Sequence, residues 1–173
     1  MNPLAERRLQ DLAKITRLGV RARGRIAVGE TLGTPPSEIT VSLNYKTAAS
    51  ARYPEDVRET TRIRIILSAR YPFQEPAVEI LDPVFNPNVY PSGRVCLGKK
   101  WLATEGLDLI VLRVIKILTF DPEILNDWAP ANMEAAHWYK ATRAAHPGAF
   151  PSEKLALDEA AAAGKTVWNE AKA

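Results

Sequence analysis

Asn86-Pro87-Asn88-Val89-Tyr90-Pro91-Ser92-Gly93-Arg94-Val95-Cys96-Leu97 is the stretch on which the reading of this chain turns. It holds the single cysteine of 173 residues. Its Asn, Pro, Ser and Gly content predicts an irregular loop, because these residues punctuate regular structure. Asn88 stands eight positions before Cys96, and an apolar residue flanks the cysteine on each side. A lone cysteine is by default a small buried hydrophobe. One carried on an irregular loop at mid-chain is a candidate nucleophile, and the remaining chain reads as its scaffold.

Upstream of the loop the chain reads as strands. Residues 25–30 suit a short strand with Ile26 and Val28 on one side, and Gly33-Thr34-Pro35-Pro36-Ser37 is a turn. Glu38 to Lys46 alternates strictly, with Ile39, Val41, Leu43 and Tyr45 on the buried face. Residues 47–60 are polar and loop-like. Thr61 to Ser68 is a third strand with Ile63, Ile65 and Leu67 inward, and Ala77 to Leu81 a fourth with Val78 and Ile80 inward. Short turns between such strands predict an antiparallel meander with one dry face.

Helical spacing brackets the strands. Residues 3–18 predict an amphipathic helix, with Leu4, Leu9, Leu12, Ile15 and Leu18 at helical intervals, Pro3 suited to a first turn, Arg7, Arg8, Asp11, Lys14 and Arg17 on the other faces, and Gly19 and Gly24 marking its exit. That basic face is either a solvated surface or a docking site for an acidic partner. After an irregular piece at 97–101, residues 107–120 are rich in Leu, Ile and Val. A strand there would put Arg113 and Lys116 on opposite faces, whereas a helix gathers Asp108, Arg113, Lys116 and Thr119 on one arc, so the spacing predicts a largely buried helix ended by Asp121-Pro122. Residues 131–145 predict another helix, and Ser152 with Glu153 and Lys154 predicts the start of an Ala-rich one over 152–173, kinked at Gly164. The expected architecture is α+β: an N-terminal helix, a four-stranded antiparallel meander, the cysteine loop, then two to three C-terminal helices. One domain spanning 1–173 is expected, with its core at about 3–145 and a helical extension at about 151–173.

Composition narrows the function. A net charge of +3, without a dense Lys/Arg tract or basic run interleaved with aromatics, argues against nucleic acid. The most apolar window, 107–118, is too short and too interrupted by charge to span a bilayer. One cysteine excludes an internal disulfide and suits a reducing cytoplasm. The N-terminal residues have no apolar signal core. No Cys/His cluster has metal spacing and no Gly-rich phosphate loop is present, so neither metal nor cofactor is expected. His137 and His146 lie away from the loop and read as structural or solvent-facing.

The order of elements and the central loop together resemble the ubiquitin-conjugating enzyme family, from roughly Leu4 to about Ala145. Tyr71-Pro72-Phe73-Gln74-Glu75-Pro76 is similar to the family's Tyr-Pro-Phe-x-x-Pro signature. Asn86-Pro87-Asn88 resembles its His-Pro-Asn tripeptide, and Gly93-Arg94-Val95-Cys96-Leu97 resembles the segment around its active-site cysteine, at the family's asparagine-to-cysteine spacing. Asp121-Pro122 and Pro130 match the segment after its second helix. The chain departs from the pattern in three places. Asn86 stands where the family has histidine, Trp101 follows the cysteine at only five positions, and Leu102-Ala103-Thr104-Glu105-Gly106 replaces the Ser-Pro-Ala that helps bind ligases. The departures suggest a divergent, bacterial-type member and leave ligase engagement open.

The resemblance implies that Cys96 accepts the C-terminal acyl group of a ubiquitin-like modifier from an activating enzyme and passes it to a lysine amine of a target. Asn88 would either donate a side-chain N–H to the oxyanion of that transfer, a contribution of roughly 3–4 kcal/mol, or hold the loop in shape. Across the groove the alignment puts Asn126 at the position that orients the incoming amine, with Asp127 beside it favoured chemically because a carboxylate can accept a proton. ATP would be used upstream by the activating enzyme. That enzyme docks on the family's first helix, which gives Arg7, Arg8, Lys14 and Arg17 a partner-binding reading. Phe73 is either on a ligase-facing loop or a core plug. The alternative is an inactive binding module on the same fold. A thiol redox or cysteine hydrolase protein would want a second cysteine or a nearby histidine base.

Overall fold

The computed structural model of the chain describes residues 2–126 and 128–157. Helix α1 (Pro3–Arg21) starts where Asn2 Oδ1 accepts from Leu4 N at 2.9 Å, with Pro3 in the first turn where no intrahelical N–H is needed. It continues through the buried Gly19 to Arg21, past the expected exit, and its apolar spacing is only in part a core face: Ile15 and Leu18 are buried, but Leu9 is exposed. Asp11, read as part of the polar face, is instead completely buried. A carboxylate away from water needs partners, and Asp11 accepts from Arg7 Nε at 2.5 Å, Lys14 Nζ at 3.1 Å and the Tyr71 hydroxyl.

The strands β1 (Ile26–Leu32) and β2 (Glu38–Leu43) follow, then a segment at 47–60 that was expected to be loop. It contains a small antiparallel pair, β3 (Thr47–Ala48) and β4 (Val57–Arg58). Two-residue strands carry no alternation for a sequence to show. With β5 (Thr61–Ile66) and β6 (Ala77–Ile80) the main sheet has the order β1-β2-β5-β6, antiparallel throughout. The expected meander is therefore present. Ile39 lies opposite Ile65, Val41 opposite Ile63, and Ile65 opposite Val78, so the predicted inward residues line one face.

That face shares its core with helix α2 (Leu107–Leu118), in which Leu107, Ile110, Val111, Val114, Ile115, Ile117 and Leu118 are buried. Each fully buried Ile or Leu contributes about 1.5–3 kcal/mol relative to exposure, so this layer supplies much of the stability that fixes the loops above it. Helix α3 (Met133–Ala145) begins two residues later than expected because Asn132 caps it, its Oδ1 accepting from Ala135 N at 3.0 Å. The helix closes a second, aromatic cluster. Phe120 lies 4.6 Å from Phe150 and 5.8 Å from Tyr139 between ring centroids, and Trp138 Nε1 donates to Ala51 O at 2.7 Å.

The expected helix start at Ser152 is not formed. Residues 152–157 run back as an irregular strap over the N-terminal half. Ser152 N donates to Thr119 O at 2.9 Å, Glu153 accepts from Lys46 N at 3.0 Å and pairs with Arg25, and Leu155 and Leu157 pack on the main core. Glu153 is thus a tertiary anchor rather than a first-turn helix residue. The expected helix beyond 157, with its kink at Gly164, lies outside the described residues.

Candidate active site

The cysteine loop is a tight hairpin rather than an unstructured excursion. Cys96 N donates to Asn88 O at 2.7 Å, Val89 and Val95 form an antiparallel bridge, and Tyr90 N donates to Arg94 O at 2.9 Å. The spacing of eight is the register of this hairpin: Asn88 and Cys96 are cross-strand partners. Gly93 turns the corner at φ 90°, where a Cβ would meet Ile80 O at 2.9 Å, so this position needs glycine on both counts. The hairpin is stitched to β6 by Ile80 N to Gly93 O at 2.8 Å and Val95 N to Val78 O at 2.9 Å.

Asn86 and Asn88 anchor the loop from below, and both are completely buried. Asn86 Oδ1 accepts from Asn88 N at 2.9 Å, an Asx turn, while its Nδ2 donates to Ile117 O at 2.8 Å in the last turn of α2. One amide thus serves as acceptor for the loop and donor to the helix. Asn88 Nδ2 donates to Cys96 O at 3.2 Å and lies 3.5 Å from Ile124 O, while its Oδ1 accepts from Asn126 N at 3.0 Å. Asn88 therefore ties together the two segments that border the cysteine, 88–96 and 124–126. Asn126 uses its own side chain locally, accepting from Ala129 N at 3.0 Å and donating to Ala129 O at 2.6 Å. Asp127 lies outside the described residues.

Cys96 is a free, half-buried thiol. It lines a groove of about 400 Å³ together with Glu75, Pro76, Val78, Tyr90, Arg94 and Lys99. Lys99 also borders a second hollow of about 250 Å³, lined by Leu109, Leu112, Arg113 and Ile124 on the α2 side. Arg113 Nη1 donates to Leu97 O at 3.1 Å, so α2 holds the cysteine segment directly. Lys99 pairs with Glu105, and this hydrogen bond holds the Glu105 carboxyl below its usual range.

The remaining predicted positions separate into two groups. Arg7 and Arg8 are committed inside the fold. Arg7 donates to Ala103 O at 2.8 Å and to Glu105 O, and it stacks on Tyr71 with 5.8 Å to the ring centroid. Arg8 donates to Ser68 O at 2.6 Å and Pro36 O at 3.2 Å. Burial, then the bond to Asp11, pushes the Tyr71 phenol far above its ordinary range. Lys14 is half-buried beside Asp11, while Arg17 is exposed and unpaired among the described residues. Phe73 is 74% exposed, so it is not a core plug. The early Trp101 is explained by its Nε1 donating to Pro72 O at 2.6 Å, which fastens the post-cysteine loop to the Tyr-Pro-Phe turn.

Sequence reasoning missed Arg7, Asp11 and Arg113 as internal braces. The Arg7–Asp11 pair is an i,i+4 spacing, but the bonds from Arg7 to Ala103 O, from Tyr71 to Asp11 and from Arg113 to Leu97 O join distant segments and leave no local pattern. Among the described residues no cluster of His, Cys, Asp and Glu could hold a metal ion, and no helix is long and apolar enough to cross a membrane.

Residues 58–149, more than half of the chain, match the family described as ubiquitin-conjugating enzyme. The chain belongs to the ubiquitin-conjugating enzyme family. It is similar to ubiquitin-conjugating enzyme E2 2 of Candida albicans, with 37% identity over 84 residues covering 47% of this chain and 45% of the relative. The Neurospora crassa protein of the same name is 36% identical over 87 residues, covering 49% and 55%. The African swine fever virus ubiquitin-conjugating enzyme E2 is 29% identical over 90 residues, covering 46% and 40%. The chain spans about half the length of the curated relatives it matches. The matched region includes both ends of the cysteine hairpin and the helix end that Asn86 grips, whereas Arg7, Arg8, Asp11 and Lys14 lie before it.

Proposed function

We propose that the protein carries a ubiquitin-like modifier as a thioester on Cys96. The observation that carries this reading is the half-buried Cys96 thiol in its groove, with Asn88 bonding both neighbouring segments. In charging, the Cys96 sulfur attacks the thioester held by an activating enzyme, forming a new C–S bond as the old one breaks. In transfer, a lysine amine of the target attacks the carbonyl. The C–N bond forms, the C–S bond breaks, Cys96 leaves as thiolate, and the amine gives up a proton. A carboxylate near the attack line favours that last loss. We assign the role to Asp127 rather than Asn126, whose amide is engaged with Ala129.

Asn88 acts in this scheme chiefly as the brace of the site, since both of its side-chain functions are already bonded. The modifier, the activating enzyme and the target amine are the partners; Phe73 and the exposed Leu102 leave a ligase contact available. The free thiol suits a reducing cytoplasm. The chain is read as a divergent member on account of Asn86 and the 102–106 segment. The relatives above are fungal and viral, and they lend nothing to the bacterial setting that those departures suggested.

Incubation with the modifier, its activating enzyme and ATP should give an adduct that reductant removes. Cys96→Ser should turn it into a reductant-resistant ester and Cys96→Ala should abolish it. Failure to charge with an activating enzyme that charges another family member would sink the reading.

A further inference from the structure

The alternation that lifts Cys96 into the groove lifts Arg94 with it. Side chains two residues apart on an extended segment face the same way, and Val95 between them is buried. The backbone of Arg94 is fixed by the bond from Tyr90 N and by a bridge to Glu79. Its guanidinium is different from the other cations of the site. Arg7, Arg8 and Arg113 donate to carbonyls and Lys99 pairs with Glu105, whereas the Arg94 side chain is exposed and has no ion pair or hydrogen bond among the described residues. Among the described residues lining the groove, Glu75 is the one carboxylate, against Arg94 and Lys99.

An incoming lysine meets this arrangement as a cation. A lone ammonium is repelled by the unpaired Arg94, while one that arrives beside an acidic side chain brings its own counter-charge. An idle guanidinium also offers a planar fork of donors that matches a carboxylate. We propose that Arg94 selects the acceptor: the groove takes an acidic stretch of the target chain, whose carboxylate engages Arg94 while the neighbouring lysine amine reaches Cys96. This inference rests on the acyl-transfer reading of Cys96.

The test uses full-length protein charged with modifier, then freed of ATP and chased with short lysine peptides flanked by Glu, Ala or Arg. At low salt the Glu-flanked peptide should discharge the thioester about fivefold faster than the Ala-flanked one, the effect residing in the peptide KM, and the gap should shrink in high salt. Arg94→Glu should reverse the order, Arg94→Lys should keep it, and Arg52→Ala, which lines no part of the groove, should leave it unchanged. Absence of any thioester would reject the acyl-transfer reading itself. A thioester that discharges equally to all three peptides overturns the assignment of Arg94 alone. So does an Arg94→Glu protein that charges slowly yet keeps the wild-type peptide order, because Arg94 would then serve the modifier or the activating enzyme.

Discussion

Asn88 and Cys96 are bonded to each other in both directions: Cys96 N donates to Asn88 O at 2.7 Å, and Asn88 Nδ2 donates to Cys96 O at 3.2 Å. The residue that the family pattern associates with the cysteine is thus its cross-strand partner. Replacing it removes a donor and an acceptor at a completely buried site. Asn88→Ala is expected to cost about 1–3 kcal/mol and to slow both charging and discharge. Thermal melts and single-turnover kinetics check this together. A large loss of discharge with an unchanged melting temperature would make Asn88 a pure oxyanion donor instead.

Asn86 gives a sharper case, because its two bonds need opposite ends of one amide. Asn86→Asp keeps the acceptor for Asn88 N but points an oxygen at Ile117 O. It should lose about 2 kcal/mol or more relative to wild type. It should recover part of that loss at acid pH, where a protonated carboxyl can donate. Urea melts at two pH values are the measurement, and equal losses at both would refute this account.

The basic residues of α1 are expected to divide. Arg7→Ala leaves Asp11 buried without its closest cation and frees the carbonyls of Ala103 and Glu105. Breaking such a pair costs about 3 kcal/mol, so the variant should melt well below wild type. Arg17→Glu touches no internal partner and should leave the melt unchanged while slowing charging by the activating enzyme. A stable Arg7→Ala protein would contradict the bracing role.

Asp82 is one of the carboxyls that contribute to acid stability. Hydrogen bonding to Arg62 holds its folded pKa below the ordinary carboxylate value, with burial opposing. Its contribution is complete above the unfolded pKa of about 3.9 and is lost as pH falls through the lower folded value. Asp82→Asn should therefore flatten the wild-type decline in melting temperature below about pH 4. Parallel curves for the two proteins would exclude Asp82 as a contributor.

The legible parts of this chain were those set by local period. Strict alternation over Glu38 to Leu43 and the polar arc of α2 each specify an element without help from elsewhere. The Asn88–Cys96 spacing was visible as a number, but its cause, a hairpin register, required the pairing of Val89 with Val95. Asp11 was misplaced because a helical wheel shows charge and not the tyrosine sixty residues away that draws it inward. Ser152-Glu153-Lys154 looked like a helix start for a related reason. Its carboxylate has a better use on Lys46 and Arg25 than on its own first turn. Asn86 meets two needs with one amide, because its place in the fold asks for an acceptor for Asn88 N and a donor to Ile117 O.

The strap at 152–157 has a practical side. Family similarity stops at residue 149, yet the chain goes on to cover Tyr45 with the Arg25–Glu153 pair and to lay Leu155 and Leu157 on the main core. Ending the protein at residue 149, where the family match ends, would strip away the clasp that ties this strap to Arg25 and Lys46. Such a fragment should express poorly, and recombinant work is better served by keeping the residues that homology would discard.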